Sequence, residues 1–292
     1  MSTSSREMPP LQRVRTVGHL VDAIAERMRG AGITEADAEA RDLVAAIAGE
    51  NRFWPRLHAV DVVPPDWADR ACDAAKKRAS GMPFAYAVGR AAFRHLTLFV
   101  NESVLIPRQE TELLVDLVLQ RATRRGVVAD VGTGSGAIAL ALASEGGFER
   151  VIATDISGDE IAVAGHNARS LNATVEFRAG DLLAPLAGEQ LDAIVSNPPY
   201  IAFDEARDLP ASVRDWEPSY ALFSANHGLE ATRRIVDGAP ALLCSGGLLA
   251  LEVDVRRALQ AAELVASRGA FRGVEVCQDL TGRDRFVLAM RV

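Results

Sequence analysis

The sequence predicts an α/β protein, in which a parallel sheet with helices on both faces follows a small helical domain. Three observations lead to this fold class. From Val127 onwards, short apolar runs alternate with helical stretches, which is the pattern of strand–helix–strand units. A glycine-rich turn, Gly132 to Gly136, follows the first of these runs. Before them, residues 17 to 79 repeat apolar side chains at four-residue spacing, as amphipathic helices do.

The composition is that of an ordinary globular chain and disfavours several classes of protein. Hydrophobic residues make up 49% of the 292 residues, and 39 acidic side chains exceed 32 basic ones. This excess of acidic residues disfavours a protein whose main role is to bind nucleic-acid backbones. The longest apolar stretch, Ala137 to Ala143, is too short to cross a bilayer, and Met1 to Pro10 lacks the apolar segment of a secretion signal. We therefore expect a cytoplasmic protein that does not bind membranes.

The cysteines and histidines indicate neither a disulfide framework nor a metal site. Cys72, Cys244 and Cys277 lie far apart in the chain, as incidental thiols in a reducing compartment do. The five histidines are equally scattered and form no paired motif. Metal-dependent chemistry and a Ser-His catalytic triad therefore have no support in the sequence.

Four segments are expected along the chain. Residues 1–12 have the composition of a loose tail, and residues 13–82 form the helical domain. Residues 83–106 contain an alternating stretch, Ala92 to Val100, that is typical of a hairpin, and we expect them to link the two domains. Residues 107–292 carry the α/β domain. Because the helical domain has no catalytic pattern of its own, we expect it to dock a partner.

The α/β domain opens with a helix that runs through Gln120, and strands and helices then alternate to the end of the chain. The predicted strands are 127–131, 151–154, 175–178, 191–196, 248–253 and two near Val274 and Phe286. The predicted helices are 137–144, 159–171, one from about Gly228 and one that ends near Arg268. Because the last two strands are close in sequence, one of them is expected to be antiparallel.

Glycines and acidic residues follow the first three strands, at the edge where open parallel sheets bind ligands. Gly132, Gly134 and Gly136 let the backbone approach a ligand closely. Asp155 can accept both hydroxyls of a ribose, and Asp181 can accept an adenine amino group. Taken singly, Asp155 is equally well explained as a loop residue before a capping box, and Asp181 as a helix cap. Their joint occurrence at successive strand ends favours a nucleoside site.

The stretch Ser196-Asn197-Pro198-Pro199-Tyr200 closes the fourth strand. Two consecutive prolines end the strand pairing and free main-chain carbonyls. The Asn197 side-chain carbonyl and the Pro198 main-chain carbonyl can then each accept one N–H of a planar amide or amine, and Tyr200 offers a flat face beside it. Such a pocket suits transfer of an electrophile to a weakly nucleophilic nitrogen, because it orients the nitrogen and stabilises its developing charge. Taken alone, the residues also fit an ordinary strand-ending turn.

The nucleoside site and the acceptor pocket together select the chemistry. Gly132-x-Gly134-x-x-Ala137 also fits the dinucleotide fingerprint, so the glycine loop alone permits a nicotinamide cofactor. Hydride transfer does not need a pocket that holds an amide, whereas methyl transfer to nitrogen does. We therefore expect an N-methyltransferase that converts S-adenosylmethionine to S-adenosylhomocysteine, without a catalytic base.

From about Val17 to Val292 the sequence resembles the HemK/PrmC-type protein N5-glutamine methyltransferases. The resemblance rests on the segments Gly81 to Gly89 and Leu105 to Glu112, the glycine loop, Asn197 to Tyr200, and Gly282 to Arg285. It implies a Rossmann-like class I methyltransferase sheet with a small N-terminal helical domain. It also implies methyl transfer to the side-chain amide of the glutamine in the Gly-Gly-Gln motif of class 1 peptide-chain release factors.

The resemblance assigns roles by position and implies no metal ligand. The implied catalytic residues are Asn197, Pro198 and Tyr200. The implied donor-binding residues are Asp130, Gly132, Thr133, Gly134, Gly136, Asp155, Ile156, Asp181, Leu182 and Asn197. The implied substrate-binding residues are Asn197, Pro198, Pro199, Tyr200, Arg108, Glu110 and Thr111.

The sequence departs from the family pattern in two places. Gln109 stands where the family usually has a second proline, and Asp254 and Arg257 stand where it usually has Gly and Gln. The expected partner is a class 1 release factor, bound by a monomer that forms no stable complex with nucleic acid. Three other functions remain open: methylation of an exocyclic amine in a nucleic-acid base, methylation of another protein or small-molecule amide, and a non-catalytic adaptor.

Overall fold

The computed structural model describes residues 15–292, so the predicted tail, residues 1–12, lies outside the described residues. The chain divides into two compact units, one up to Arg90 and one from Ala91 to Val292. The four predicted segments and their bounds remain a prediction. Within the described residues, no helix has both the length and the apolar character needed to span a bilayer. In the same part of the chain, no cluster of acidic, histidine or cysteine side chains is arranged to hold a metal ion.

The first unit is helical. Its helices are α1 (Val17–Gly30), α2 (Ala36–Ala48), α3 (Trp54–Leu57), α4 (Pro65–Ala79) and α5 (Phe84–Val88). Leu20, Ile24 and Met28 recur at four-residue spacing along α1 and are fully buried in one cluster with Leu43 of α2. Thr16 caps α1 by accepting a hydrogen bond from the His19 N–H. The apolar spacing in the sequence therefore marks the buried face of this unit.

A hairpin and a seven-stranded sheet with helices on both faces follow the helical elements. The strands are β1 (Arg90–Phe93) and β2 (Leu96–Phe99) in the hairpin, then β3 (Val127–Val131), β4 (Arg150–Asp155), β5 (Glu176–Ala179), β6 (Leu191–Ser196), β7 (Leu243–Glu252), β8 (Phe271–Gln278) and β9 (Asp284–Arg291) in the sheet. The helices are α6 (Gln109–Arg121), α7 (Ala137–Glu145), α8 (Gly158–Ser170), α9 (Ala211–Arg214), α10 (Ser219–Leu222), α11 (Glu230–Gly238) and α12 (Ala258–Ala266).

The strand order of the sheet is β5-β4-β3-β6-β7-β9-β8. Strands β3 to β7 pair in parallel, and β9 is antiparallel to both of its neighbours, which confirms the expected single antiparallel strand at the end of the domain. The chain runs outward from β3 through β4 to β5 and then returns to β6 on the other side of β3. In such sheets this reversal opens a crevice at the carboxyl ends of the strands, where ligands bind.

The central strands are mostly apolar because helices cover both faces of the sheet. Val128 of β3 and Ala193 of β6 are fully buried in one apolar cluster. Their neighbours in the chain, Ala129 and Ile194, are fully buried in a second cluster. This alternation fixes the register of β3 and β6 and thereby places their carboxyl ends side by side.

Strand β7 is longer than the predicted strand 248–253, because it begins at Leu243. Gly246 and Gly247 interrupt the apolar pattern, and the pairing of β7 with β6 shifts register between Leu191 and Ala193. Because the start of the strand is irregular, its first residues do not show the period-two alternation by which a strand is predicted. Its end, Glu252, lies next to the position where β6 ends, since Leu251 pairs with Ser196.

Candidate active site

Asp130, near the end of β3, fixes the shape of the glycine loop. Its Oδ2 accepts hydrogen bonds from Thr133 Oγ1 at 2.6 Å and from the Ala139 N–H at 3.1 Å, which ties the loop to the first turn of α7. Gly136 is a packing position, because a Cβ there would stand 3.1 Å from the Ala164 side chain. Asp130 and Gly136, both predicted to bind the donor, thus support the loop by hydrogen bonds and packing. Neither residue lines either of the two cavities beside the loop.

A cavity of about 260 Å³ opens at the carboxyl ends of the strands. Apart from each glycine and its two chain neighbours, no described residue comes within 4 Å of the place where a Cβ on Gly132 or Gly134 would stand, so the loop backbone is open to a ligand. Apolar side chains and carboxylates share the remaining wall. Of the predicted site residues, those that line this cavity are Gly132, Gly134, Asp155, Ile156, Asp181, Leu182, Asn197 and Pro199.

Asp155 ends β4 and is oriented by backbone donors. Its Oδ2 accepts a hydrogen bond from the Gly134 N–H at 2.9 Å, and its Oδ1 accepts one from the Ser157 N–H at 3.1 Å. Burial, together with the neighbouring Asp155, raises the pKa of Glu160 to about 10. Glu160 is therefore neutral near pH 7 and serves as a donor to Asp155. These contacts fix the orientation of the Asp155 carboxylate on the cavity wall, where the ribose is predicted to bind.

Asp181 lies on the far wall of the cavity and forms an ion pair that the sequence does not reveal. Arg234 of α11 donates to both of its carboxylate oxygens, at 2.6 Å and 3.2 Å. Both side chains are about half exposed, and both line the cavity. Arg234 stands on the polar side of an amphipathic helix, where an arginine gives no signal of a site. Here it adds a positive charge beside the carboxylate that is predicted to accept the adenine amino group.

A smaller cavity of about 50 Å³ adjoins the first and shares Gly132, Gly134 and Asn197 with it. It is also lined by three further predicted residues, Arg108, Thr111 and Thr133. Asn197 thus faces both cavities. Among the described residues, no group donates a hydrogen bond to Asn197 Oδ1 or to the Pro198 main-chain oxygen. Both carbonyls are therefore unused acceptors, but Pro198 and Tyr200 line neither cavity.

A chain of hydrogen bonds holds the other end of the Asn197 amide. Asn197 Nδ2 donates to Thr111 Oγ1 at 3.1 Å, and Thr111 Oγ1 donates to Glu252 Oε2 at 2.7 Å. The Tyr200 hydroxyl donates to Glu252 Oε1 at 3.3 Å, and burial raises the pKa of this phenol so that it keeps its proton. Glu252 was missed in the sequence, although an acidic residue that closes an apolar strand is the same signal that identified Asp155.

The remaining predicted substrate residues lie at the start of α6. Arg108 donates to Glu217 Oε1 at 2.7 Å, and the Glu217 side chain is 1% exposed. This ion pair fastens the entrance of α6 to the segment that follows β6. Glu110 is exposed and lines neither cavity.

The two residues that depart from the family pattern after β7 form part of an ion-pair cluster. Arg257 contacts Asp254 at 3.2 Å and also donates to Glu205. Arg256 bonds the same two carboxylates, at 2.7 Å to Asp254 and 3.0 Å to Glu205. Glu205 belongs to the segment after Tyr200, so the cluster anchors the chain just beyond the acceptor pocket.

Comparison with known proteins identifies the family. Two family models match: the methyltransferase small domain over residues 108–210 and the PrmC N-terminal domain over residues 19–89. A release factor glutamine methyltransferase from Moorella thermoacetica is 42% identical over 282 residues, which cover 94% of this chain and 99% of the relative. The chain belongs to the release factor glutamine methyltransferase family. A second member, from Cereibacter sphaeroides, is 41% identical and covers 91% of this chain and 95% of its own.

Family membership confirms that the chain is an S-adenosylmethionine-dependent methyltransferase. Solved structures agree with the fold. The hMettl16 catalytic domain superposes with a TM-score of 0.57 at 17% identity, over 85% of this chain and 90% of that chain. A methyltransferase from Pyrococcus furiosus gives 0.51 at 18% identity, over 68% of this chain and 90% of its own. These similarities confirm the Rossmann-like class I methyltransferase sheet.

Proposed function

We propose that this protein methylates the side-chain amide nitrogen of the glutamine in the Gly-Gly-Gln motif of class 1 peptide-chain release factors. One observation carries the proposal: two unused carbonyl acceptors, Asn197 Oδ1 and the Pro198 main-chain oxygen, belong to consecutive residues, of which Asn197 lines the larger cavity. A primary amide has two N–H groups on one planar nitrogen, and two acceptors can hold both. The relatives are named for glutamine methylation of release factors, which agrees with this acceptor chemistry.

The larger cavity would hold the donor. Asp155 would accept the ribose hydroxyls, the open backbone at Gly132 and Gly134 would allow close approach, and Asp181 would accept the adenine amino group. S-adenosylmethionine supplies an electrophilic methyl group on a sulfonium, which becomes a neutral thioether on transfer. The residues of the chain therefore need to place the nucleophile and exclude water rather than activate a leaving group.

The acceptor pocket would act on the nucleophile. Asn197 and Pro198 would each accept one N–H of the glutamine amide, which turns the nitrogen toward the methyl group and stabilises the positive charge that develops. Tyr200 would pack beside the amide plane. As the carbon–nitrogen bond forms and the sulfur–carbon bond breaks, the nitrogen loses one proton to water, and no side chain is required as a base. Positioning of this kind can lower a barrier by about 7–11 kcal/mol.

The helical unit would recognise the release factor, because a single glutamine is too generic to select one protein. It matches the N-terminal model of the family and carries none of the residues predicted to act in methyl transfer. The proposal includes a monomeric enzyme that forms no stable complex with nucleic acid. Since release factors act on ribosomes, it also places the reaction in the cytoplasm.

The proposal is tested by mass spectrometry of a purified class 1 release factor after incubation with this protein and S-adenosylmethionine. We expect a gain of one methyl group, mapped by peptide fragmentation to the Gly-Gly-Gln glutamine. The variant Asn197→Ala should lose about 100-fold or more in rate, because one of the two acceptors is gone, while donor affinity measured by calorimetry stays near that of the wild type.

A matched control is Gln190→Ala, which removes a side-chain amide beside the opposite end of β6, where Gln190 is exposed. This variant should methylate as the wild type does. Ordinary turnover by Asn197→Ala would refute the acceptor pocket. A wild-type protein that binds the donor but leaves the release factor unmodified would refute the substrate assignment.

A further inference from the structure

Glu252 is a buried carboxylate in contact with the acceptor pocket, and neither the motifs nor the family resemblance gives it a role. It is the last residue of β7 and is 1% exposed. Thr111 Oγ1 lies 2.7 Å from one of its oxygens, and the Tyr200 hydroxyl lies 3.3 Å from the other. Both partners also belong to the predicted substrate site. The carboxylate is thus placed to act on the pocket without touching the substrate.

The two hydrogen bonds that link Glu252, Thr111 and Asn197 have a fixed direction from donor to acceptor. A carboxylate can only accept, so the single hydroxyl hydrogen of Thr111 is committed to Glu252. Toward Asn197, Thr111 can then offer only a lone pair, and the Asn197 amide must present its NH₂ group there, at 3.1 Å. The Asn197 carbonyl is thereby turned to the opposite side, where no described residue donates to it.

The reversed orientation of the amide would be costly while Glu252 is ionised. It would bring Asn197 Oδ1 against a Thr111 oxygen that has no hydrogen to donate, in a place from which water is largely excluded, since Thr111 is 4% exposed. Burial and the charge of Glu110 raise the pKa of Glu252, and the hydrogen bonds from Thr111 and Tyr200 and the charge of Arg285 offset part of this rise. Two donors and one cation therefore converge on this carboxyl group and suit its ionised, accepting form.

We propose that Glu252 is a positioning residue that sets, through Thr111, which end of the Asn197 amide faces the substrate. This inference rests on the proposed function, in which Asn197 must present its carbonyl to a glutamine N–H. Glu252 acts on Asn197 through two hydrogen bonds, one from Thr111 to Glu252 and one from Asn197 to Thr111. Thr111, which the family resemblance assigns to the substrate site, is the relay.

The replacement Glu252→Gln tests the direction of the relay. A glutamine NH₂ can donate to Thr111, whose hydroxyl is then free to donate to Asn197 Oδ1, and the Asn197 NH₂ would turn toward the NH₂ of the substrate. We expect kcat for release-factor methylation to fall about 100-fold, because the nucleophile loses one holding contact, while donor affinity is unchanged. Thr111→Val should give a similar loss, and Thr111→Ser, which retains the hydroxyl, should restore most of the rate. The control is Glu263→Gln on the exposed side of α12.

A double-mutant cycle separates positioning from general support of the fold. If Glu252 acts through Asn197, then Glu252→Gln should cost almost nothing further in an Asn197→Ala background. A purely structural role predicts that the two losses multiply. Multiplying losses, or a wild-type kcat for Glu252→Gln, would overturn the proposal.

A substrate-free measurement keeps this test independent of the proposed function. The side-chain NH₂ signals of Asn197 can be assigned by NMR from their loss in Asn197→Ala, and their exchange with water can be timed. In the wild type the bond to Thr111 should slow this exchange, and Glu252→Gln and Thr111→Val should both accelerate it. Unchanged exchange in both variants would refute the relay even if the release factor proved not to be the substrate.

Discussion

Asp130 shows how one buried side chain can support a site without lining it. It is fully buried, and its Oδ2 takes two hydrogen bonds, whereas its Oδ1 has no hydrogen-bond partner among the described residues. Burial raises the pKa of Asp130 to about 7. The residue that shapes the glycine loop is therefore also a titrating group inside the folded core.

This titration should make stability depend on pH. In the unfolded chain an aspartate loses its proton near pH 4, whereas folded Asp130 keeps its proton until about pH 7, so the folded state binds more protons in between. The free energy of unfolding should then fall as pH rises through this window, by about 1.4 kcal/mol per unit from this group, and level off above it. Urea unfolding at about pH 5 and about pH 8 measures the effect.

Asp130→Asn removes the titrating proton and should abolish this part of the pH dependence. The surface variant Asp208→Asn, at an exposed position, should keep it. An Asp130→Asn protein that loses as much stability between the two pH values as the wild type would contradict the assignment.

At the scale of single residues, the sequence predicts those whose role follows from their place on a strand. Asp155 and Asn197 are predicted because each lies where a predicted strand ends, and the structure places both on the larger cavity. The hydrogen bond between Thr111 and Glu252 joins residues 141 positions apart. Arg108 and Glu217 are also far apart in the chain. Such pairs depend on the register of the whole sheet, which no local pattern contains.

At the scale of elements, the segment after Tyr200 is held in place by charged residues that follow β7. Glu205 accepts from the Ala202 N–H at 3.1 Å and is bound by Arg256 and Arg257. The Arg257 and Glu205 side chains are 11% and 19% exposed, so these contacts are partly shielded from water. The departures from the family pattern thus build a local anchor for the chain that leaves the acceptor pocket.

Removal of this anchor should destabilise the protein. Glu205→Gln leaves Arg257 without its ionic partner on this segment, and we expect the free energy of unfolding to fall by about 2 kcal/mol, as for the loss of a charged hydrogen bond that is partly buried. Urea denaturation with Asp204→Asn as the control checks this, since Asp204 is the exposed neighbour in the same segment. Equal stability of the two variants would show that the cluster is not an anchor.

Regular elements were easier to predict than irregular ones. The central strands β3, β4 and β6 are apolar runs closed by polar residues, and the prediction located all three. Between β6 and α11 no element was predicted, although α9 and α10 lie there. These are four-residue helices that begin after Pro210 and Pro218, and they are too short to show a helical period.

At the scale of the whole molecule, donor binding should be coupled to unfolding. A ligand that binds only the folded state stabilises it by about 2.7 kcal/mol at a concentration of 100 times its Kd. S-adenosylhomocysteine, the product, should therefore raise the melting temperature of the wild type. Asp155→Ala should lose most of this rise, because the carboxylate is expected to hold the ribose.

The matched control for this measurement is Asp159→Ala, which removes an exposed carboxylate in the first turn of α8. It should keep the ligand-dependent rise in melting temperature. If Asp155→Ala kept the full ligand-dependent rise in melting temperature, the assignment of Asp155 to the ribose would be contradicted. Another residue would then have to hold the ligand beside Gly132 and Gly134.

The place of β9 in the sheet has a consequence for how the protein folds during its synthesis. β9 inserts between β7 and β8, although it follows both in the chain, and Glu252 pairs with Phe286 of this strand. While the chain is being synthesised, β7 therefore leaves the ribosome with a bare edge, which is a surface prone to aggregation. Glu252, which contacts Thr111 and Tyr200 of the predicted substrate site, gains its strand partner only when β9 has emerged and inserted. Full pairing of the strand that carries Glu252 is thus tied to translation of the last strand of the sheet.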